Sequence, residues 1–366
     1  MEKLKVGIVG IGAISGIYLD NLTGVFSDRV EVTTVTDLVP ERASEAANKY
    51  GAKVVASAEE LVADEAVDLV LNLTIPKEHF EVAMPAVRAG KHVYNEKPLC
   101  IRRDEAAELL AAAGEAGVRV GCSPDTVLGA GIQTCRKLLD DGWIGAPVAA
   151  TAFMVNHGHE SWHPDPEFYY QTGGGPMFDM GPYYLSTLVN LMGPAVRLSG
   201  SAKKSFETRT ITSEKKHGKV VPVEVPTHVA GTVEFATGAV ATVITSFDIW
   251  ASTLPRIEIY GTEGSLLVPD PNTFGGPVMV RRAGDSEWSR MPLTHDHPEN
   301  SRGLGVADIA ECIGADARAR HRANGEIANH VLEIMHGFHE AAASGRYYEL
   351  ESTCRQPDPR PMRQVV

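Results

Sequence analysis

Along the first third of the chain, short apolar runs alternate with stretches whose hydrophobic positions recur at helical spacing. The run from Lys5 to Val9 ends in Gly10-Ile11-Gly12-Ala13-Ile14-Ser15-Gly16, and a helical pattern follows to Leu22. Val30 to Thr36 is β-branched and stops at Asp37. Pro40 to Tyr50 then reads as a helix, with proline in the first turn where its missing N–H costs nothing. Further strands are expected at Lys53–Val55, Asp68–Asn72, His92–Asn95 and Arg119–Gly121. Helices are expected between them at Ala58–Ala63, His79–Ala89 and Arg103–Ala116. Repetition of this kind predicts a parallel sheet covered on both faces, an α/β Rossmann domain over residues 1–123.

From residue 124 to 366 the pattern changes. A helix is expected over Asp125–Leu139, then a glycine-bounded turn into a strand at Val148–Val155. Val196–Ala202, His228–Phe235, Ala239–Phe247 and Arg256–Tyr260 alternate in strand fashion without intervening helices, and Gly238 marks a hairpin turn. This predicts an α+β domain with a large, mostly antiparallel open sheet. Helices at Val306–Ala319 and Glu326–Ser344 follow, the latter expected to pack back on the first domain. Lys203–Lys219 reads as a solvated edge, and the Pro- and Arg-rich tail from Thr353 to Val366 as loosely held. A length of 366 residues agrees with two domains, since single cores stop growing near ~250–300 residues.

The glycine loop falls at the first strand-to-helix turn. There Gly10 permits the tight turn, Gly12 admits a pyrophosphate, and the amide groups of Ala13, Ile14 and Ser15 open the helix towards it. Ser15 occupies the third glycine position of the G-x-G-x-x-G pattern. Asp37 stands 22 residues after Ser15, where an acid grips the adenosine ribose diol and repels a 2′-phosphate. NAD is the expected cofactor, and Arg42 leaves NADP open.

Beyond the fourth strand the chain reads Asn72-Leu73-Thr74-Ile75-Pro76-Lys77-Glu78-His79, and beyond the fifth Asn95-Glu96-Lys97-Pro98. A glycine-rich loop leads into Asp179-Met180-Gly181-Pro182-Tyr183-Tyr184, and Tyr260-Gly261-Thr262-Glu263-Gly264 comes later. Together these resemble the Gfo/Idh/MocA oxidoreductase family across nearly the whole chain. The resemblance implies a cofactor site including Thr74, Pro76, His79, Glu96 and Lys97. It also implies hydride transfer to or from a ring secondary hydroxyl or ketone of a sugar, glycoside or cyclitol. Many members carry histidine four residues after the aspartate; Tyr183 stands there, as in the glucose-fructose oxidoreductase and dihydrodiol dehydrogenase branches. A trans-dihydrodiol dehydrogenase and a non-catalytic NAD(P)-sensing regulator are the alternatives. A homodimer or homotetramer built through the second-domain sheet is implied as well.

Chemistry narrows the roles. Oxidising an alcohol requires a cation near the oxygen and a base for its proton. Lys97, at the C-terminal end of a parallel strand, is the expected polariser and proton relay. Asp179 and Tyr183 share a helix face, as substrate-positioning carboxylate and acid/base respectively. A phenol titrates near ~10, so Tyr183 needs a nearby positive charge, from Lys97 or the oxidised nicotinamide. Tyr184 is a second candidate in the substrate pocket.

The segment from Asn156 to Asp165 holds His157, His159 and His163 around Trp162. No rigid helix pairs these imidazoles, so a metal is not expected. A sugar-binding loop, with histidines reading hydroxyls and Trp162 facing a pyranose ring, is one reading; a loop buried in the second domain is the other. A net charge of −13 argues against a nucleic-acid partner. No apolar run reaches the ~20 residues of a membrane span. Five scattered cysteines without a C-x-x-C pair, and no signal-like apolar core after Met1, point to the cytoplasm.

Overall fold

A computed structural model describes residues 2–315 and 319–363. Two compact units emerge, the first from residues up to Gly129 and from 297–329, the second from Ala130–Asp296 and from His330 onward. The sequence placed the boundary at residue 123 and everything after it in the second domain. Asp125 explains the difference. Its buried Oδ2 accepts the amides of Gly303 and Gly305 at 2.8 and 3.1 Å, tying residues past the sixth strand to the start of a late helix. Burial raises the Asp125 carboxyl to about 6.

In the first unit β1 (Leu4–Val9), α1 (Ser15–Thr23), β2 (Val30–Thr36), α2 (Pro40–Tyr50), β3 (Lys53–Val54) and α3 (Ala58–Ala63) form one half. The other half is β4 (Leu69–Asn72), α4 (His79–Arg88), β5 (His92–Asn95), α5 (Arg103–Ala116) and β6 (Val120–Cys122). All six strands are parallel, in the order β3-β2-β1-β4-β5-β6. β4 is buried throughout because helices cover both faces, which is why its sequence is continuously apolar up to Asn72. Register aligns the strand ends: Val9 pairs with Thr36 and Asn72, Asn72 with Asn95, and Asn95 with Cys122. Gly10, Asp37, Leu73, Glu96 and Ser123 are therefore the first residues past one edge.

The second unit opens with α6 (Ala130–Asp140), β7 (Pro147–Val155) and α7 (Gly175–Met192). Strands β8 (Ala195–Lys203), β9 (Thr208–Thr210), β10 (Val220–Pro222), β11 (His228–Phe235) and β12 (Val240–Ser246) follow. Next come β13 (Ile257–Gly261), β14 (Gly264–Val268), β15 (Val278–Arg282) and β16 (Ser289–Met291). Helix α8 (Leu304–Ala315) belongs to the first unit, and α9 (Gly325–Ser344) begins there and continues in the second, before β17 (Tyr348–Glu349). Part of the helix expected over Val306–Ala319 lies outside the described residues, at 316–318.

Nine strands make one sheet, ordered β16-β15-β14-β13-β7-β12-β11-β8-β17, antiparallel except for the parallel β7–β12 pair. Helix α7 packs on β7, β11 and β12, against inward residues such as Ala150, Ala152, Met154, Val229 and Val243.

Two expectations are corrected. Within Lys203–Lys219, Arg209 is a buried cation, paired with Glu160 at 3.3 Å and with Asp248. The tail is held as far as Arg363: Gln356 donates to Asn190 O at 2.7 Å, and Arg136 donates to Pro357 O at 3.0 Å. The last part of that stretch, 364–366, lies outside the described residues.

Candidate functional site

The glycine loop has the shape its sequence demands. Gly10 adopts φ +96°, and a Cβ there would sit 2.9 Å from the Leu73 carbonyl and the Thr74 amide. Over Gly12 the situation is reversed, since no protein atom lies within 4 Å of where a Cβ would stand. That open space leaves room for a pyrophosphate. At the amino end of α1 no side chain caps the helix and no acid sits in the first turn. The Ser15 hydroxyl donates to Gly12 O at 2.8 Å and closes the turn, so serine in the third glycine position is accommodated.

Asp37 reaches back to this loop. Its Oδ2 accepts the Ile11 amide at 2.6 Å, and its Oδ1 accepts the Val39 amide at 2.8 Å. Each oxygen keeps a second lone pair, which suits a ribose diol. These residues fit a dinucleotide.

Behind the edge lies a brace of buried polar groups. Asn72 Nδ2 donates to His79 O and to Asn95 Oδ1, both at 3.1 Å, while the Thr74 hydroxyl donates to Asn72 Oδ1 at 2.6 Å. Asn95 Nδ2 donates to Leu99 O at 2.9 Å. His79 is wholly buried, with Nδ1 2.6 Å from Pro98 O and Nε2 3.1 Å from Thr74 O. Burial holds its imidazole below the usual value. Expected as a cofactor contact, His79 instead ties the loop after β4 to the turn carrying Lys97. Glu96 also works from behind: it accepts Tyr18 O–H at 2.7 Å and the Lys97 amide at 2.9 Å. Ser123 stands 2.7 Å from the Tyr18 oxygen, so α1 and the residues just past β5 and β6 meet at one hydroxyl. Pro76 opens a 3-10 turn, Pro76–Glu78, and Lys97 is half-buried just past β5. Sequence reasoning missed Asn72, Asn95, Tyr18 and Ser123. The two asparagines had a signal, as polar residues ending fully apolar strands.

In the second unit, Asp179 and Tyr183 both lie on α7, and Tyr183 is buried. His159 comes to Asp179 from the loop after β7, with Nε2 3.0 Å from Oδ2. The other two histidines have separate partners. His157 stacks on Trp250 at 3.4 Å between centroids, and His163 Nδ1 accepts the Asp165 amide at 3.0 Å. Burial lowers both imidazoles. Among the described residues no three His, Cys, Asp or Glu side chains gather as a metal ligand set. Trp162 and Trp250 are both exposed. Tyr184 is corrected: it is buried with Arg256 Nη1 3.5 Å from its hydroxyl, which removes it from a substrate pocket.

Comparison with known proteins supplies the family. Residues 4–123 match the model described as oxidoreductase family, NAD-binding Rossmann fold, and residues 132–267 match the GFO/IDH/MocA C-terminal domain. The chain is 30% identical to a 1,5-anhydro-D-fructose reductase of Ensifer adhaerens, over 94% of this chain and 98% of that protein. It belongs to the Gfo/Idh/MocA oxidoreductase family. An inositol 2-dehydrogenase 3 of Saccharopolyspora erythraea is another relative, 26% identical over 78% of this chain and 80% of that one. The fold is shared with an NAD binding oxidoreductase of Klebsiella pneumoniae, at TM-score 0.82 and 23% identity over 95% of this chain and 98% of that one. Among the described residues no helix is long and apolar enough to cross a membrane.

Proposed function

We propose that this Gfo/Idh/MocA chain moves a hydride between NAD(P) and a ring secondary hydroxyl, or the matching ketone, of a sugar, glycoside or cyclitol. The observation that carries this reading is Lys97, set directly past β5 at the C-terminal edge of the parallel sheet with its amide pinned by Glu96. Named relatives that act on anhydrofructose and inositol support the substrate class. Gly10, Gly12, Ala13, Ile14 and Ser15 would hold the pyrophosphate and Asp37 the ribose, with Thr74 and Pro76 from the loop after β4. When bound, the dinucleotide supplies the hydride acceptor or donor. Asp37 favours NAD over NADP, since a carboxylate repels a 2′-phosphate.

Lys97 offers an ammonium to the substrate oxygen and stabilises charge developing on it. Tyr183 exchanges the hydroxyl proton, and Asp179 accepts a hydrogen bond from a further hydroxyl. His157, His163 and Trp162 line the ring-binding side of the loop after β7. A homodimer or homotetramer through the sheet of the second unit is part of the proposal. Ser199, Thr232, Thr242, Thr151, Glu258, Leu267 and Met279 are in register across that sheet on the face away from α7, and none of them is buried. A cytoplasmic setting is proposed from the five buried free thiols.

The test is an assay of the purified chain with NAD or NADP and a panel of inositols, anhydro sugars and aldoses, following absorbance of the reduced cofactor. Turnover on this panel is expected. Turnover on an aromatic trans-diol alone would move the reading to a dihydrodiol dehydrogenase. Tight NAD binding with no turnover on any substrate would make the protein a nicotinamide-sensing regulator.

A further inference from the structure

The second unit joins an imidazole and a carboxylate from two separate elements. His159 Nε2 and Asp179 Oδ2 are 3.0 Å apart, with the two side chains only 7% and 11% exposed. Elsewhere the imidazole meets rings: Tyr169 edge-on at 3.9 Å, Phe247 at 4.8 Å and Trp162 at 5.1 Å between centroids. His163, whose ring lies 5.3 Å from that of Tyr169, is the other titratable imidazole of this cage. Among the described residues, His159 Nδ1 is buried without a hydrogen-bond partner.

A neutral imidazole has one N–H and one lone pair, and an ionised carboxylate oxygen only accepts. The proton therefore belongs on Nε2. We infer that Asp179 fixes the His159 ring with its Nε2–H directed at the carboxylate. In return, His159 is a positioning residue that holds the Asp179 carboxylate about its Cβ–Cγ bond for a substrate hydroxyl. The second half of this inference rests on the proposed role of Asp179; the first half does not.

Two measurements on the full chain separate the halves. Nitrogen-15 histidine NMR of wild type and Asp179→Ala assigns the His159 signals. A protonated Nε2 is expected in the wild type. A proton on Nδ1 with Nε2 unprotonated would overturn the pairing. Kinetics then use His159→Phe, which keeps a ring in the cage, and His159→Gln, whose amide offers a donor where Nε2 stood. His159→Phe should lose roughly ten- to hundredfold in kcat/KM, the range of a charge-assisted hydrogen bond. The NAD dissociation constant should not change, and His159→Gln should recover most of the loss. Equal activity in His159→Phe and wild type, with Asp179→Ala inactive, would end the positioning role. So would equal loss in both His159 variants with unchanged melting temperatures, since a donor restored at that place would then restore nothing. Full activity in Asp179→Ala would instead sink the proposed role of Asp179 and leave the tautomer result standing.

Discussion

The loops past the parallel sheet and the loop after β7 both hold buried polar side chains, but they are built differently. In the first unit most partners are backbone groups or residues at aligned strand ends: Asp37 takes two amides, His79 faces two carbonyls, and Asn72 meets Asn95. In the second, charge meets charge across long stretches of chain. Arg209 joins Glu160 and Asp248, and its guanidinium also donates to Phe247 O at 2.8 Å. Backbone-anchored polar groups are set by where strands end; side-chain networks exist only after distant segments have packed. The two regions should therefore fail in different ways when altered.

The largest contrast is expected from Lys97→Ala and Arg209→Ala. Lys97→Ala should lower kcat by roughly a hundred- to ten-thousandfold, the range for a group acting on the proton and charge of the reaction. Its melting temperature and NAD affinity should stay near wild type, as read by thermal unfolding and NAD titration. Wild-type turnover in this variant would remove Lys97 from the mechanism. Arg209→Ala should act on stability instead. Leaving Glu160 and Asp248 buried without their cation costs about 3–5 kcal/mol, visible as a large shift in a denaturant or thermal midpoint. A shift within error would mean that water reaches the pair.

Glycine substitutions sharpen the comparison within the first unit. Gly12→Ala should unfold with the wild-type midpoint, because its Cβ meets no protein atom within 4 Å, yet weaken NAD binding by filling the cradle. Gly10→Ala should lose stability as well, since positive φ combines with a 2.9 Å approach to backbone; strain of this kind costs of order 1–3 kcal/mol. Equal midpoints for the two variants would contradict the geometry.

The smallest effect concerns pH. Burial, followed by the charge of His336, pushes His339 down to about 4. A depressed histidine contributes stability above its unfolded pKa of ~6.5 and loses it as pH falls through the folded value. His339→Phe should thus be less sensitive than wild type between pH 6.5 and about 4 in thermal melts. An identical pH dependence in both proteins would exclude His339 as a contributor.

How much could be read without coordinates follows the same division. The ranges of α2, α3, α5, β2, β5 and β11 follow from local pattern, turn residues and β-branched runs. The later strands β14 to β17 and the short β9–β10 pair were not legible, because short half-exposed strands gain their stability from neighbours rather than from their own periodicity. Tyr184 illustrates the limit for the site: its spacing offered it to a pocket, and Arg256, just before the distant strand β13, claimed its hydroxyl.

By itself the sequence determined the strand–loop–helix that carries Gly10 and Gly12, the acid at the end of β2 and the lysine after β5. Their geometry depends on backbone rules acting over a few residues. Only the tertiary structure decided that His79 and Glu96 stand behind the loops, that Asp125 draws α8 into the first unit, and that His159 meets Asp179. Those outcomes depend on which buried donors and acceptors come within reach of one another, and a buried polar group must find its partner wherever the fold brings one.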